Sequence, residues 1–355
     1  MMETTRAEIE ACLASGNAAS QVALGRRLEA EGKQSLARGV FANAAKLGSV
    51  DAIRLLAINL MTRQPLGIAD GINMLKSAAE KADAEAVHLC AVIAAQDSEL
   101  RDRYNVALDY LVQAADLGSE MAQAELRTLG QASSSETDWK KLRDGLDLTA
   151  WTQIPQGEKL RTSPRVETFE RFISPQICDW FISRARTRLG PATVYNPDTG
   201  DHGLKSQDRT NTTAMFPIAE ADVIFMLVQS RIMALTGLRA VKLEPPVVLH
   251  YEIGQQFAPH FDFLNPRIAA YAKELAEIGQ RVATFLIYLN EEFDGGETEF
   301  PLLDLKFKGK KGDAILFWNV DRSGVPDERT RHAGLAPTSG EKWLLSQWLR
   351  EQPSS

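Results

Sequence analysis

Three short segments in the first third of the chain recur at almost equal spacing: Ala44-Ala45-Lys46-Leu47-Gly48, Ala78-Ala79-Glu80-Lys81-Ala82 and Ala114-Ala115-Asp116-Leu117-Gly118. They start 34 and 36 residues apart. An amphipathic run precedes each of them (Leu36 to Phe41, Gly71 to Leu75, Ala107 to Leu111). A second run carrying Ala follows each (Ala52; Ala84 or Ala86; Ala122). A unit repeating at this period cannot bury its apolar face alone and has to stack on its neighbours. Small residues at fixed places let paired helices cross closely. The spacing therefore predicts an α-helical repeat solenoid over residues 1–130. A plain Ala-rich bundle would share the composition without the equal spacing. His88, two residues from Cys90 in one of these helices, is read as a packing residue.

The three segments resemble Sel1-like repeats, relatives of the tetratricopeptide repeat, with Ala82 in the second where the others have Gly. Such arrays offer a concave surface to peptides or proteins. The array ends near Gly130. Gln131 to Thr137, with three consecutive serines, reads as a polar linker. A short helix over Asp138 to Gly145 and an irregular connector to Pro164 complete the linker, 131–164, ahead of a second domain, 165–355.

A chain of 355 residues has room for both domains. Its net charge of −7 and pI near 5.5 exclude a general nucleic-acid binder, which needs a basic footprint. The short basic run Lys306 to Lys311 reads as a solvated hairpin face. No apolar run approaches ~20 residues, so no membrane span is expected. Met1 to Gly16 has no basic region followed by an apolar core, so no secretory signal is expected. Cys12, Cys90 and Cys178 are odd in number and lack metal or redox spacing. Idle thiols in a reducing compartment fit a cytoplasmic protein.

The second domain opens with an alternating strand, Arg165 to Phe172. Ser174-Pro175 then starts a helix, with Ser as cap and Pro at the first helical position, running to about Arg188. Asn196 to Thr213 is a polar loop containing His202, read as solvated, and Arg209. A helix is expected from Ile218 to Thr236, stopped by Gly237. Pro266 to Gly279 has the spacing of a short helix. Arg281 to Asn290 is β-rich, the pair Gly295-Gly296 reads as a hairpin turn, and Lys311 to Trp318 gives another short strand.

Chemistry concentrates in the run Tyr251 to Asp262. His260 and Asp262 are two apart in a segment that reads as a strand, so both side chains leave one face. An imidazole and a carboxylate are two of the three groups of a facial triad that leaves positions open on non-haem Fe(II). The third candidate is His332, in Arg331-His332-Ala333-Gly334. Lys342 follows in Gly340-Glu341-Lys342-Trp343. An unbroken strand would put His332 and Lys342 on one face, although Pro337 and Gly340 favour a turn between them. His250 shares parity with His260, but Gly254 and Pro259 interrupt the run, and His250 is given no ligand role.

A lone His-x-Asp pair is a weak motif; the series around it is not. In order and spacing, the run from Glu167 to the C-terminus resembles the catalytic domain of the prolyl 4-hydroxylase family of Fe(II)/2-oxoglutarate dioxygenases. The resemblance implies a double-stranded β-helix, a jelly-roll relative, with flanking helices. The fold class expected for the whole chain is thus two-domain, α plus mainly β. It implies Fe(II) held by His260, Asp262 and His332, and 2-oxoglutarate paired through its far carboxylate with Lys342. Tyr251 and Tyr288 would hydrogen-bond that cosubstrate, with Thr298 in the same pocket. Arg281 would touch a peptide substrate and Trp348 would stand at the substrate mouth. O2 is the second cosubstrate, with ascorbate in support.

The implied reaction hydroxylates a substrate C–H while 2-oxoglutarate becomes succinate and CO2. Related halogenases replace the carboxylate ligand with a small residue; Asp262 keeps it, which favours hydroxylation. The implied substrate is a prolyl residue of a peptide or protein presented by the repeats, and the catalytic-domain loop Asn196 to Thr213 would serve as a lid. Phe257 departs from the family pattern, which has Tyr three residues before the first ligand His. A different target residue, or a free amino acid, is therefore the alternative with the same chemistry. A repeat scaffold with a silent oxygenase domain would not need to keep His260, Asp262, His332 and Lys342 together. A zinc hydrolase on the same three ligands gives Lys342 no place.

Overall fold

The computed structural model describes residues 4–61, 67–97, 100–193, 206–216, 220–236 and 241–351. The chain divides into two compact units, Met1–Leu146 with Ala221–Met226, and Asp147–Glu220 with Leu227–Ser355.

The first unit is helical: α1 (Arg6–Ala14), α2 (Ala18–Ala30), α3 (Gln34–Lys46), α4 (Val50–Met61), α5 (Ile68–Glu80), α6 (Ala84–Gln96), α7 (Arg103–Asp116), α8 (Glu120–Leu129) and α9 (Trp139–Asp144). From α1 to α8 each helix packs on the next in sequence, so contacts are local. Side-chain oxygens of Asn17, Asp83 and Ser119 accept the backbone N–H three residues on and start α2, α6 and α8. The three recurring segments occupy one structural place, the ends of α3, α5 and α7. The chain there turns through a left-handed residue: Gly48 at φ 89°, Ala82 at φ 59° and Gly118 at φ 96°. Ala82 adopts the conformation with a Cβ, at some steric cost that glycine avoids. Close crossing has a counterpart in α2, where a Cβ at Gly25 would lie 2.2 Å from the Phe41 ring of α3.

His88 on α6 is buried and paired with fully buried Glu125 of α8, at 2.5 Å from Nε2 to Oε1. The other carboxylate oxygen accepts the backbone N–H of Val223 at 2.7 Å. Burial alone would pull the His88 pKa down; the Glu125 carboxylate outweighs it, and the pKa is raised. His88 is thus a satisfied core residue.

The second unit contains α10 (Thr149–Thr152), β1 (Glu158–Thr162), β2 (Arg165–Phe169), α11 (Pro175–Arg186), β3 (Gly190–Pro191), β4 (Thr212–Met215), α12 (Val223–Thr236) from Leu227 on, β5 (Val241–Leu243), β6 (Val247–Tyr251), β7 (Phe257–His260), α13 (Ala272–Ile278), β8 (Arg281–Tyr288), β9 (Phe293–Gly295), β10 (Thr298–Phe300), β11 (Leu305–Phe307), β12 (Ala314–Trp318), β13 (His332–Gly334), β14 (Pro337–Gly340) and β15 (Lys342–Glu351). The large sheet runs β1-β2-β12-β8-β15-β6-β4-β3, with β5 also on β15; a small sheet runs β11-β10-β13-β7; β14 pairs with β9. All these pairings are antiparallel.

Central strand β8 is buried on both faces, which explains its almost unbroken apolar run. Phe285 points to one side, where its ring stands 4.7 Å from that of Phe172 and 6.0 Å from that of Phe169. Thr284, Leu286 and Tyr288 point to the other, the side of the site described below.

Several elements differ from expectation. Gly295 and Gly296, at φ 66° and 68°, do not form a hairpin: β9 leaves to pair with β14, while β10 pairs with β11 and β13. The left-handed pair switches the chain between two pairings. Helix α12 starts at Val223 because the Asp222 carboxylate accepts the Phe225 N–H at 2.8 Å. The segment Pro266 to Gly279 is a 3-10 turn followed by α13. Of the expected loop Asn196 to Thr213, residues 196–205 lie outside the described residues, His202 among them. Thr212 and Thr213 belong to β4, which pairs with β6. Among the described residues no helix is long and apolar enough to cross a membrane.

Candidate active site

The small sheet sets the geometry by register. Strand β13 pairs with β7 so that His332 and His260 are direct partners, their rings 4.3 Å apart. The expected strand ends at His260, and Asp262 lies in the bend beyond it. Its carboxylate nevertheless reaches both imidazoles, with Oδ1 3.5 Å from His260 Nε2 and Oδ2 3.5 Å from His332 Nε2. One potential ligand atom from each of the three residues lies within 4.8 Å of the others, a grouping that could hold a metal ion.

The other ring nitrogens fix the tautomers. His260 Nδ1 is 2.9 Å from the carbonyl of Ala258, and His332 Nδ1 is 3.1 Å from the carbonyl of Thr330. A carbonyl only accepts, so each Nδ1 carries the proton and each Nε2 turns its lone pair toward the common point. Phe257 stacks on His260 with ring centroids 3.4 Å apart, and the Arg209 guanidinium lies 4.5 Å above Phe257.

Burial raises the Asp262 pKa, but His332, His260 and the Thr284 hydroxyl outweigh it and hold the carboxyl well below its ordinary range. Burial, with His260 beside it, pushes His332 down to about 4. The site thus sets an ionised Asp262 carboxylate beside a neutral His332 imidazole.

Strand β15 supplies the inner wall. Its register places Lys342 opposite Tyr251 of β6, and Leu344, Ser346 and Trp348 follow on the same face. Leu344, Ser346 and Trp348, with Tyr251, Leu249, Leu286, Thr298 and Gly334, line a cavity that also contains the His260–Asp262–His332 group. Lys342 is fully buried, and its Nζ has no hydrogen-bond partner. It sits 4.7 Å from the Tyr251 ring centroid and 5.9 Å from that of Tyr288. Burial pushes its pKa down to about 7, with Glu297 pulling weakly the other way. A buried ammonium in an apolar wall is costly until an anion meets it.

The two tyrosines differ. Tyr288 Oη accepts from the Thr298 N–H at 3.2 Å and is 2.8 Å from the Phe307 carbonyl, to which it donates. Its hydroxyl is also 2.9 Å from that of Thr298. The Tyr251 hydroxyl packs against Gly334, where a Cβ would lie 3.0 Å from it. Burial pushes Tyr251 up to about 12 and raises Tyr288 further. Trp348 lines the cavity. Arg281 does not; it is held by two contacts to Glu244, at 2.6 and 2.8 Å, and stacks 4.0 Å from the Trp348 ring. His250 lies off the site, between Thr212 Oγ1 at 3.0 Å and Glu341 at 2.9 Å.

Sequence reasoning passed over Thr284, Leu286 and Arg209. Parity with Tyr288 along β8 could have found the first two. Thr284 donates to Asp262 Oδ2 at 2.7 Å. No local pattern marks Arg209, which meets Phe257 through an isolated bridge.

The chain is similar to known proteins. Residues 246–350 match the model of the 2OG-Fe(II) oxygenase superfamily. Prolyl 4-hydroxylase 1 of Arabidopsis thaliana is 34% identical over 233 residues, 59% of this chain and 80% of that protein. Prolyl 4-hydroxylase subunit alpha-1 of Rattus norvegicus is 35% identical over 189 residues, 53% of this chain and 35% of that protein, so the chain spans about a third of it. A solved viral collagen prolyl hydroxylase from Paramecium bursaria Chlorella virus-1, in complex with 2OG, is 29% identical. That match covers 53% of this chain and 96% of the viral one, at a TM-score of 0.41.

Proposed function

The chain belongs to the 2OG-Fe(II) oxygenase superfamily as a homologue of the prolyl 4-hydroxylases, and from that premise we propose that it hydroxylates a prolyl residue of a peptide or protein. The observation that carries this reading is the unpartnered, fully buried Lys342 ammonium against the ring of Tyr251, a residue that lines one cavity with the His260–Asp262–His332 group. Two imidazole lone pairs and a carboxylate suit a divalent cation, and the orphaned ammonium suits the far carboxylate of a diacid. Both cofactors of the superfamily, Fe(II) and 2-oxoglutarate, therefore fit the residues present.

In this reading His260, Asp262 and His332 hold the iron. Lys342 holds the far carboxylate of 2-oxoglutarate, with Tyr251 beside it. Tyr288 and Thr298, bonded to each other, wall that end. When bound, iron, 2-oxoglutarate and O2 supply the oxidant: one oxygen atom enters the substrate C–H bond, the other enters succinate, and CO2 leaves. Leu249, Leu286 and Leu344 keep the cavity dry, which strengthens the Lys342 contact. Trp348 meets the substrate, and Arg281, fixed by Glu244, backs its ring.

We further propose residues 1–130 as a Sel1-like repeat solenoid that recruits the peptide, 131–164 as a linker and 165–355 as a double-stranded β-helix. The shared left-handed turns after α3, α5 and α7 support the first assignment. The antiparallel large and small sheets of the second unit support the last.

The test is an anaerobic titration with Fe(II) and 2-oxoglutarate, watching for the visible charge-transfer band of the chelate, then admission of air and assay for succinate. A band that disappears in Asp262→Ala is expected. No band from the wild-type protein at saturating metal overturns the site. A second reading, with a target other than proline, is favoured by Phe257, which offers a ring packed on His260 where a tyrosine would offer a hydroxyl. Turnover of peptides with and without proline separates the two.

A further inference from the structure

Asp262 differs from the two histidines in how it is held. His260 and His332 are fixed by strand register and by the backbone carbonyls of Ala258 and Thr330. Asp262 lies past the end of β7, in a bend, where no ladder orients it. Its support comes from the large sheet. Thr284 of β8, fully buried, stands 2.7 Å from Asp262 Oδ2. Asn319, fully buried just past β12, stands with Nδ2 3.0 Å from the Thr284 hydroxyl. Asn319 is itself pinned on both sides of its backbone: its N–H donates to Val282 at 2.8 Å, and its carbonyl accepts from Asp327 at 3.0 Å.

We infer that Asn319 and Thr284 form a one-way hydrogen-bond relay that selects which oxygen of Asp262 is presented to a metal. The inference rests on the iron site proposed above. An amide nitrogen only donates, so the Thr284 oxygen accepts from Asn319 and its single proton is left for the carboxylate. The opposite amide orientation would set two acceptors, Asn319 Oδ1 and Asp262 Oδ2, against that one proton. The relay thus fixes the Asn319 orientation as well, and leaves its Oδ1 buried without a partner. With Oδ2 engaged by Thr284, Oδ1 is the oxygen free to bind. A carboxylate that binds through one oxygen occupies one position instead of two, so a cosubstrate with two donor atoms and a further small ligand still have room. Thr284 and Asn319 are positioning residues, acting through Asp262.

Three variants test this in the full-length chain: Thr284→Val, which keeps the shape and removes the donor, Thr284→Ser, which keeps the hydroxyl, and Asn319→Leu. Two readouts do not depend on turnover: anaerobic Fe(II) affinity at fixed 2-oxoglutarate, and the absorption spectrum of the Co(II)-loaded protein, which reports coordination number. Thr284→Val should weaken metal binding by about 10- to 100-fold, the range typical for groups supporting a ligand, and shift the Co(II) spectrum toward higher coordination. Thr284→Ser should restore both, and Asn319→Leu should fall between. Wild-type affinity and spectrum in Thr284→Val overturn the relay, as does a Thr284→Ser weakened as much as Thr284→Val. If Thr284→Val does not fold, Asn319→Leu decides: an unchanged affinity and spectrum overturn the inference. A wild-type protein that binds no Fe(II) overturns the iron site instead, so the two failures are distinct.

Discussion

Each unit buries a histidine beside a carboxylate, and the two groupings behave oppositely. In the first, His88 donates to Glu125 across 2.5 Å, and the second oxygen of Glu125 takes the Val223 N–H at 2.7 Å. Donors and acceptors match, and the histidine pKa is raised. In the second, both imidazoles spend their proton on a backbone carbonyl and turn a lone pair toward Asp262. The separations of 3.5 Å exceed a normal hydrogen bond of about 2.7–3.2 Å, and His332 is pushed down to about 4. The residue types are the same. What differs is the partner of the other ring nitrogen, and with it whether the group closes on itself or converges on a third party. A closed pair stabilises the fold; a converging set of lone pairs is suited to a cation.

Five experiments break or sharpen this contrast. The largest effect is expected for Asp262→Ala: succinate formation falls by about three orders of magnitude or more, and the chelate band is lost, because only two ligands remain. Breaking the closed pair with Glu125→Ala should lower stability by about 3 kcal/mol in denaturant melts, since it strands a buried imidazole and the Val223 N–H, and should leave Fe(II) affinity alone. Lys342→Met should raise the concentration of 2-oxoglutarate needed for half-saturation by about 10- to 100-fold, with Fe(II) binding retained.

The lysine also carries a pH signature. Its folded pKa of about 7 lies below its ordinary 10.5, so between those values the unfolded chain binds the extra proton. Cofactor-free wild-type protein should therefore gain stability as pH rises from about 7 to 10.5, by on the order of 5 kcal/mol at most, and Lys342→Met should not. His88 runs the other way: its pKa is raised, so its contribution is complete below about 6.5 and is lost as pH climbs through the folded value. The smallest effect is expected for Phe257→Tyr. It keeps the ring on His260, so metal affinity should change by less than about 3-fold, and any change belongs to the choice of peptide.

What the sequence disclosed follows the range over which each feature is encoded. Parity along one strand is local, so Thr284, Leu286 and Tyr288 on one face of β8, and Lys342, Leu344, Ser346 and Trp348 on one face of β15, can be read from spacing alone. The repeats of the first unit are likewise visible because each packs on its sequence neighbour. Register between distant strands is not written locally. Nothing near His332 says that it pairs with His260, or that Asn319 reaches Thr284 and through it Asp262. The turn at Gly295-Gly296 misleads for the same reason: two glycines announce a reversal, but which strands pair afterwards depends on β14 and β13, far along the chain. Arg281 shows the limit from another side, because its partner Glu244 lies 37 residues away, in the connection between β5 and β6.

The hydrogen bonds from His260 and His332 to backbone carbonyls carry a consequence for heredity. In many sites the group that fixes an imidazole is another side chain, and one codon change removes it. Here the acceptors are the carbonyls of Ala258 and Thr330, which every amino acid possesses. The instruction that orients each ring therefore offers almost no target to point mutation. It survives any drift at residues 258 and 330 that leaves the strand in place. Only Asp262, which depends on the side chains of Thr284 and Asn319, is exposed to that kind of erosion.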